Sequence, residues 1–281
     1  MIEIQKLERI ASQVRRDIVR MVHGCQSGHP GGSLGCTDFL TALYFHEMKV
    51  KTEKFEMNGL DEDIFFLSNG HLSPVFYSVL ARRGYFKISD LGSFRQLHSA
   101  LQGHPTTHEG LPGVRISSGS LGQGMSNAIG AAQAKKLLKD QSLVFVLMGD
   151  GEQQEGQVWE AAMYAAGKNV DNLVAAIDYN GQQIDGPVSK VMPLGDLGAK
   201  YESFGWIVNS FDGNNMQEVV ETLELARKTA HQGKPQLLLM KTEMGQGIDF
   251  MVGSHKWHGA APTDEQLKNA LSQLEETLGD Y

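Results

Sequence analysis

The stretch from residue 143 to residue 186 constrains the fold more than any other part of the chain. It opens with an apolar, partly β-branched run at 143–148, which is typical of a strand buried on both faces of a parallel sheet. Apolar residues then recur at helical spacing over 155–168, and a second apolar strand follows at 173–177. This order of strand, helix and strand predicts one βαβ crossover.

Polar residues follow both strands of this crossover. Asp150 comes directly after the first strand, in a Gly-Asp-Gly turn with Gly151, and Asn180 comes after the second. Because the carboxyl ends of neighbouring parallel strands meet at one edge of a sheet, we expect both side chains to reach one crevice. The carboxylate and amide oxygens of these side chains are ligands that Mg²⁺ and Ca²⁺ prefer. The glycines of the turn let the backbone approach an anion closely, and the nearby helix N-terminus favours negative charge. The competing interpretation is a pair of ordinary turns.

The rest of the chain continues the alternation of strands and amphipathic helices. Helices are predicted over 7–23, 37–47, 75–83, 125–138, 197–203 and 214–230, and strands begin near 63, 143, 173, 206 and 236. Ser73 is predicted to cap the helix at 75, and Thr263 to cap a final helix with Gln266 as its capping-box partner. Residues 26–35 and 245–262 are predicted to be loops. The pattern predicts an α/β fold with a doubly wound, mainly parallel sheet, helices on both faces, and a single domain over residues 1–281.

Composition and charge exclude several classes of function. A net charge of −8 argues against nucleic acid or an anionic membrane as the main partner. The start of the chain has no apolar signal core, and no apolar run approaches the length of a membrane span. The two cysteines, Cys25 and Cys36, follow no metal-ligand spacing and no disulfide framework. We therefore expect a cytoplasmic protein with reduced thiols.

Four histidines fall in Gly- or Pro-rich loops between predicted elements: His29, His71, His104 and His258. One histidine in such a loop is most simply part of a surface turn. Four together indicate a polar site, because imidazoles donate hydrogen bonds and move protons near neutral pH. A glycine-rich turn at 116–124 lacks the lysine of a P-loop and the spacing of a dinucleotide site, so its glycines are expected to admit a flat ligand.

The chain resembles the cofactor-binding domain of transketolases through seven motifs in the family's order: SGHPGGSLG, LSNGH, GHP, SGSLGQG, GDGEQQEG, YNGQQIDG and WHG. These motifs span residues 26–262. Between Gly151 and Asn180 lie 28 residues, 152–179, a spacing similar to the thiamine diphosphate signature. The tail Gly181-Gln182-Gln183 departs from the family pattern, but a residue that would bind a metal through its backbone tolerates that change.

The resemblance implies thiamine diphosphate and Mg²⁺ (or Ca²⁺) as cofactors. The metal ligands would be Asp150, Asn180 and the backbone carbonyl of Gln182. The diphosphate would contact Gly151, His71 and His258, and the cofactor's rings would be lined by Gly119, Leu121 and Ile184. The sugar would face His104 near its C1 hydroxyl, and His29 and His258 near its C3 hydroxyl. Glu155 matches a family carboxylate that communicates across a subunit interface.

The resemblance also implies a partner. Full-length transketolases carry a pyrimidine-binding and a C-terminal domain after this one, and they supply the glutamate that activates the cofactor. We therefore expect this chain to be half of a split transketolase, in an α2β2 assembly with a C-terminal subunit. It would transfer a two-carbon ketol unit from a ketose phosphate to an aldose phosphate.

Three other interpretations stay open at this point. One is a split transketolase dedicated to an unusual sugar, since the sequence does not choose between substrates. The chain is also compatible with the α-subunit of a 2-oxo acid dehydrogenase, another thiamine enzyme, although the set of His29, His104 and His258 favours sugars. From a different class, it could be a non-catalytic cofactor-binding protein without a competent partner. Lipoyl-dependent decarboxylation would identify the dehydrogenase subunit, and the lack of a complementary chain would identify the non-catalytic protein.

Overall fold

The computed structural model describes residues 3–281 and is built around a five-stranded sheet. The strands in chain order are β1 (Ile64–Leu67), β2 (Val144–Gly149), β3 (Leu173–Tyr179), β4 (Gln182–Gln183), β5 (Gly186–Pro187), β6 (Ile207–Asp212) and β7 (Gln236–Lys241). The order across the sheet is β1-β2-β3-β7-β6, with every neighbouring pair parallel. The five predicted strands and their parallel arrangement are confirmed. The separate antiparallel hairpin of β4 and β5 was not predicted.

The helices in chain order are α1 (Ile4–Cys25), α2 (Pro30–Gly35), α3 (Thr37–Ala42), α4 (Ser73–Arg83), α5 (Gly124–Leu137), α6 (Gly156–Gly167), α7 (Val188–Val191), α8 (Leu197–Phe204), α9 (Met216–Thr229) and α10 (Asp264–Gln273). Short 3-10 turns lie at Gly70–Leu72, Ile88–Ser93, Thr107–Glu109, Gly151–Gln154 and His255–His258. Within residues 3–281, no helix combines the length and the apolar character that crossing a bilayer would need. Met1 and Ile2, part of the predicted domain, lie outside the described residues.

Two apolar clusters cover the two faces of the sheet. Alternate residues of a strand point to opposite faces, so Phe145 and Leu147 of β2 pack with α1, α3, α4 and α9. Val144 and Val146 of the same strand pack on the other side, with α5, α6 and α8. Burial on both faces explains why the strands are continuous apolar runs, and it confirms the prediction of helices on both faces.

The predicted loop at 26–35 is wrong in its second half, which forms α2. Pro30 begins this helix, where its missing N–H costs nothing. Gly31 packs so closely that a Cβ there would lie 2.6 Å from Cγ of Met244 and 2.8 Å from the carbonyl oxygen of Trp257. The absence of a side chain at Gly31 therefore lets α2 pack closely against the segments that contain Met244 and Trp257.

Two helix boundaries also differ from the prediction. The α-helical part of 37–47 ends at Ala42, and the chain continues as one π turn, Leu43–Glu47, closed by the N–H of Met48 on the carbonyl of Leu43 at 2.8 Å. Ser73 does not cap α4, because its hydroxyl donates to the carbonyl of Gly103 at 2.7 Å.

Two predicted caps are confirmed. Of the two asparagines at 214–215, Asn215 caps α9, with its side chain accepting from the N–H groups of Gln217 and Glu218. Thr263 and Gln266 form the predicted capping box of α10.

Candidate functional site

A cleft of about 370 Å³ lies at the carboxyl ends of β1, β2 and β3. Its lining contains every residue that the sequence assigned to a metal, a cofactor or catalysis: His29, His71, His104, Gly119, Leu121, Asp150, Gly151, Glu155, Asn180, Gln182, Ile184 and His258. These residues come from loops spread over more than two hundred positions, and the parallel sheet brings them to one edge. Their individual roles stay predictions.

Asp150 and the loop after β3 are joined directly. Gly149 of β2 pairs in register with Asp178 of β3, so the two strands end side by side. The Asp150 carboxylate accepts the N–H of Gly151 at 2.7 Å on Oδ1 and the N–H of Gly181 at 2.6 Å on Oδ2. Each carboxylate oxygen has a further lone pair for a metal ion.

Asn180 is held in one orientation by its neighbours. Its Nδ2 donates to Oδ2 of Asp178 at 2.8 Å, and its Oδ1 accepts the N–H of Gln182 at 2.8 Å. Asp178 is buried and also accepts the hydroxyl of Thr242. Sequence reasoning missed Asp178, although a carboxylate at the end of an apolar strand is a usable signal.

The charges of this corner favour a bound cation. Burial, together with the nearby Asp178 carboxylate, raises the pKa of Asp150 to about 7. Burial likewise raises the pKa of Asp178. A divalent ion would relieve the repulsion between these groups, and a carboxylate with an amide oxygen is the chemistry that Mg²⁺ and Ca²⁺ select. The described residues hold no group of three or more His, Cys, Asp or Glu arranged for a metal, so backbone and cofactor oxygens would complete the shell.

Glycines open the cleft wall beside these groups. Gly119 has φ +125°, a conformation that side chains rarely adopt, and a Cβ there would lie 3.0 Å from Cδ2 of His104. A Cβ on Gly151 would lie 3.3 Å from that of Gln183. Both positions therefore leave backbone accessible to a ligand.

The four predicted histidines form a cluster in the lining of the cleft. The ring centroid of His29 lies 5.1 Å from that of His71 and 5.6 Å from that of His258, and the centroids of His71 and His258 are 5.0 Å apart. The ring of His104 is 6.3 Å from that of His29. The buried Nδ1 atoms of His29 and His258 have no hydrogen-bond partner within residues 3–281, so both have capacity for a ligand.

These imidazoles are neutral at pH 7. Burial, together with the charges of His258, Arg95 and His104, lowers the pKa of His29 to about 4. Burial also lowers the pKa of His71, well below its usual value, and the pKa values of His104 and His258. A neutral imidazole both donates and accepts a hydrogen bond, as proton transfer to or from a hydroxyl requires.

The cleft has an unusual charge for an anion site. Its acidic lining residues are Asp150, Glu152, Glu155 and Asp178, and lysine and arginine are absent from the lining in the described chain. Anion binding there would depend on N–H donors and on a metal ion.

Glu155 lies exposed at the rim, immediately before α6. It packs against the glycine-rich turn, because a Cβ on Gly122 would lie 2.9 Å from the Cβ of Glu155. An exposed rim position is compatible with its predicted role at a subunit interface.

Besides Asp178, the lining residues that sequence reasoning missed include Asn69 and Gln154. Asn69 is buried, and its Oδ1 has no hydrogen-bond partner in the described part of the chain. The Nε2 of Gln154 donates to Oε1 of Gln183 at 2.8 Å, which ties the Gly-Asp-Gly turn to the β4–β5 hairpin. Asn69 lies in the LSNGH motif and Gln154 in GDGEQQEG, so both were within quoted motifs.

Known proteins of similar sequence identify the family of this chain. The family model described as transketolase, thiamine diphosphate binding domain, matches residues 6–277. The chain is 36% identical over 276 residues to an apulose-4-phosphate transketolase subunit of Phocaeicola vulgatus, covering 98% of this chain and 96% of that protein. It is 38% identical over 269 residues to 6-deoxy-6-sulfo-D-fructose transketolase subunit SqwG of a Clostridium species, covering 96% of each.

Solved structures of similar fold include transketolases. The transketolase of Campylobacter jejuni superposes with a TM-score of 0.89 at 36% identity, over 97% of this chain and 43% of that one. The Pichia stipitis transketolase in complex with sedoheptulose 7-phosphate gives 0.89 at 30% identity, over 97% and 41%. This chain thus spans less than half of those longer proteins. The resemblance inferred from the motifs is confirmed: the chain belongs to the transketolase family, as a member of its N-terminal, thiamine diphosphate-binding part.

Proposed function

We propose that this chain is the cofactor-diphosphate-binding subunit of a split transketolase. It would transfer a two-carbon ketol unit from a ketose phosphate to an aldose phosphate. The observation that carries the proposal is the single cleft that all the predicted site residues line. Relatives named as transketolase subunits match it along 96% of their length, which supports a two-chain enzyme.

The donor set fits thiamine diphosphate with Mg²⁺ or Ca²⁺. Asp150, Asn180 and the carbonyl of Gln182 would hold the metal. The Gly151 backbone, His71 and His258 would donate to the diphosphate, and Gly119, Leu121 and Ile184 would line the rings. When bound, this cofactor supplies the stabilised carbanion that such a transfer needs.

The histidines would handle the protons of the sugar. His104 would hydrogen-bond the C1 hydroxyl, while His29 and His258 would take the proton of the C3 hydroxyl as the carbon–carbon bond breaks. Their lowered pKa values leave a free acceptor nitrogen at pH 7.

A complementary subunit would complete each site in an α2β2 assembly. It would contribute the pyrimidine-binding and C-terminal domains, including the glutamate that activates the cofactor and most of the sugar-phosphate site. Glu155 at the rim would lie near the interface. A cytoplasmic location is also proposed, supported by Cys25 and Cys36, which are both free thiols in the described chain.

Reconstitution tests the proposal. The chain is mixed with the complementary subunit that co-purifies with it, thiamine diphosphate, Mg²⁺, xylulose 5-phosphate and an aldose phosphate, and ketol transfer is measured. We expect activity from the mixture and none from either chain alone. Full activity of this chain alone would refute the split enzyme. Lipoyl-dependent decarboxylation would identify a 2-oxo acid dehydrogenase, and cofactor binding without any turnover a non-catalytic protein.

A further inference from the structure

Glu152 is a buried carboxylate that none of the roles above uses. It follows the Gly-Asp-Gly turn, and only 2% of its surface is exposed. Its Oε1 accepts the hydroxyl of Ser68 and the N–H of Gly122 at 2.8 Å, and its Oε2 accepts the N–H of Gly149 at 3.0 Å. Three donors from three separate segments therefore meet on one side chain.

These donors connect the cleft wall to the sheet. Ser68 follows β1, Gly149 ends β2, and Gly122 belongs to the glycine-rich turn. The Oγ of Ser68 also accepts the N–H of Gly124 at 3.1 Å, so Ser68 and Glu152 together hold the turn at two points.

The fit between the turn and the sheet is close. A Cβ on Gly124 would lie 2.3 Å from the Cβ of Ser68, so only glycine allows this approach. Residues 117–123 lie outside the helices and strands, so regular backbone ladders do not fix them. One backbone bond, from the N–H of Ser118 to the carbonyl of Pro105 at 3.0 Å, holds the start of this segment, and the bonds to Glu152 and Ser68 hold its end.

We infer that Glu152 is the positioning residue of the glycine-rich turn 116–124, and so determines where Gly119 and Leu121 lie relative to a cofactor ring. The second half of this inference rests on the proposed function. A carboxylate is required, because both of its oxygens accept and three donors converge on it. A glutamine has one accepting oxygen, and its NH₂ group would oppose an N–H donor.

Hydrogen exchange of the free chain tests the clamp without any cofactor. In Glu152→Gln, we expect amide exchange in peptides covering 118–124 to be at least about tenfold faster, with β3 and β7 unchanged. Glu160→Gln, an exposed carboxylate on the neighbouring helix α6, is the matched control and should exchange like the wild type. Unchanged exchange in the turn, or acceleration spread over the whole sheet, would overturn the inference.

Calorimetric titration with thiamine diphosphate and Mg²⁺ tests the consequence for the cofactor. We expect Glu152→Gln to weaken binding about tenfold or more, and Ser68→Ala to weaken it less. If Glu152→Gln does not fold, Ser68→Ala decides both measurements, since it removes one donor and the support of Gly124. Equal affinity of the variants and the wild type would overturn the role toward the cofactor. If the wild type itself binds no thiamine diphosphate, the proposed function fails, and the exchange data still decide whether Glu152 holds the turn.

Discussion

The backbone N–H of Gly181 donates to Oδ2 of Asp150 at 2.6 Å, joining residues 31 positions apart in sequence. This bond links the turn after β2 to the loop after β3. Both segments carry predicted metal ligands, so their relative position is fixed before any ion arrives, which lowers the ordering cost of binding.

Asp150→Asn should reduce the affinity for thiamine diphosphate in the presence of Mg²⁺ by about 100-fold or more, because the amide lacks the charge that a divalent ion needs. Calorimetric titration of the free chain measures this. Glu160→Gln, in the same crossover but exposed, should bind like the wild type. Unchanged affinity of Asp150→Asn would remove Asp150 from the metal site.

His104→Ala should lower turnover of the reconstituted enzyme by about 10²- to 10⁴-fold while sparing cofactor affinity, because it removes a contact to the sugar. The matched control is His108→Ala, an exposed histidine of the same loop. Steady-state kinetics with several ketose donors provide the measurement. Full turnover of His104→Ala with every donor would show that this side chain does not face the sugar.

The imidazole of His29 should titrate with a midpoint near pH 4, because burial and the charges of His258 and Arg95 lower its pKa. The folded pKa lies below that of the unfolded chain, about 6.5. Protonation of His29 therefore costs stability as the pH falls from about 6.5 toward about 4. NMR of the ring protons measures the midpoint.

Removing a neighbouring charge tests the cause of this shift. Arg95 donates to Oγ of Ser27 at 2.9 Å, two positions from His29. Arg95→Gln should raise the His29 midpoint by up to about one unit, whereas Lys87→Gln, an exposed cation nearby in sequence, should leave it in place. If Arg95→Gln leaves the midpoint unchanged, Arg95 does not contribute to the lowered pKa of His29.

Asp280→Asn should lower the free energy of unfolding at pH 7 by about 1.5–3 kcal/mol, because it breaks a partly buried, charged hydrogen-bond pair. Arg16 donates to Asp280 at 2.9 and 2.7 Å and lowers the pKa of this carboxyl to about 2. This stabilisation is complete above the unfolded pKa, about 3.9, and is lost as the pH falls toward 2. The difference between variant and wild type in denaturant unfolding should therefore shrink below pH 4.

The control for this ion pair is Glu276→Gln. Glu276 lies 3.6 Å from the same arginine, but its side chain is 54% exposed, against 19% for Asp280. Its loss should change the unfolding free energy by less than about 0.5 kcal/mol. An equal loss in both variants would mean that burial does not distinguish the two pairs.

The sheet and the location of the site follow from local patterns. Apolar runs identify the strands, and Asp150 and Asn180 lie beside them in sequence, so their meeting follows from strand adjacency. Glu152 was missed because its donors, Ser68 and Gly122, lie 84 and 30 residues away. Contacts between residues so far apart leave no periodic pattern in the sequence.

Helix α2 and the β4–β5 hairpin were missed for the same kind of reason. Glycines at 31–35 favour a loop locally, yet they form a helix because the segment around Met244 packs against them. The hairpin pairs Gln182 with Pro187 and Gln183 with Gly186, residues of low strand propensity that follow the geometry of the turn.

The lack of lysine and arginine in the described cleft lining has a consequence for the response of this protein to ionic strength. Where binding depends on surface cations, added salt lowers the affinity, because dissolved ions screen these charges. The screening length is about 8 Å at physiological ionic strength. Here, neutral imidazoles, amide N–H groups and one enclosed divalent ion would hold the anion at contact distance. Cofactor retention should accordingly change little between dilute buffer and concentrated potassium chloride.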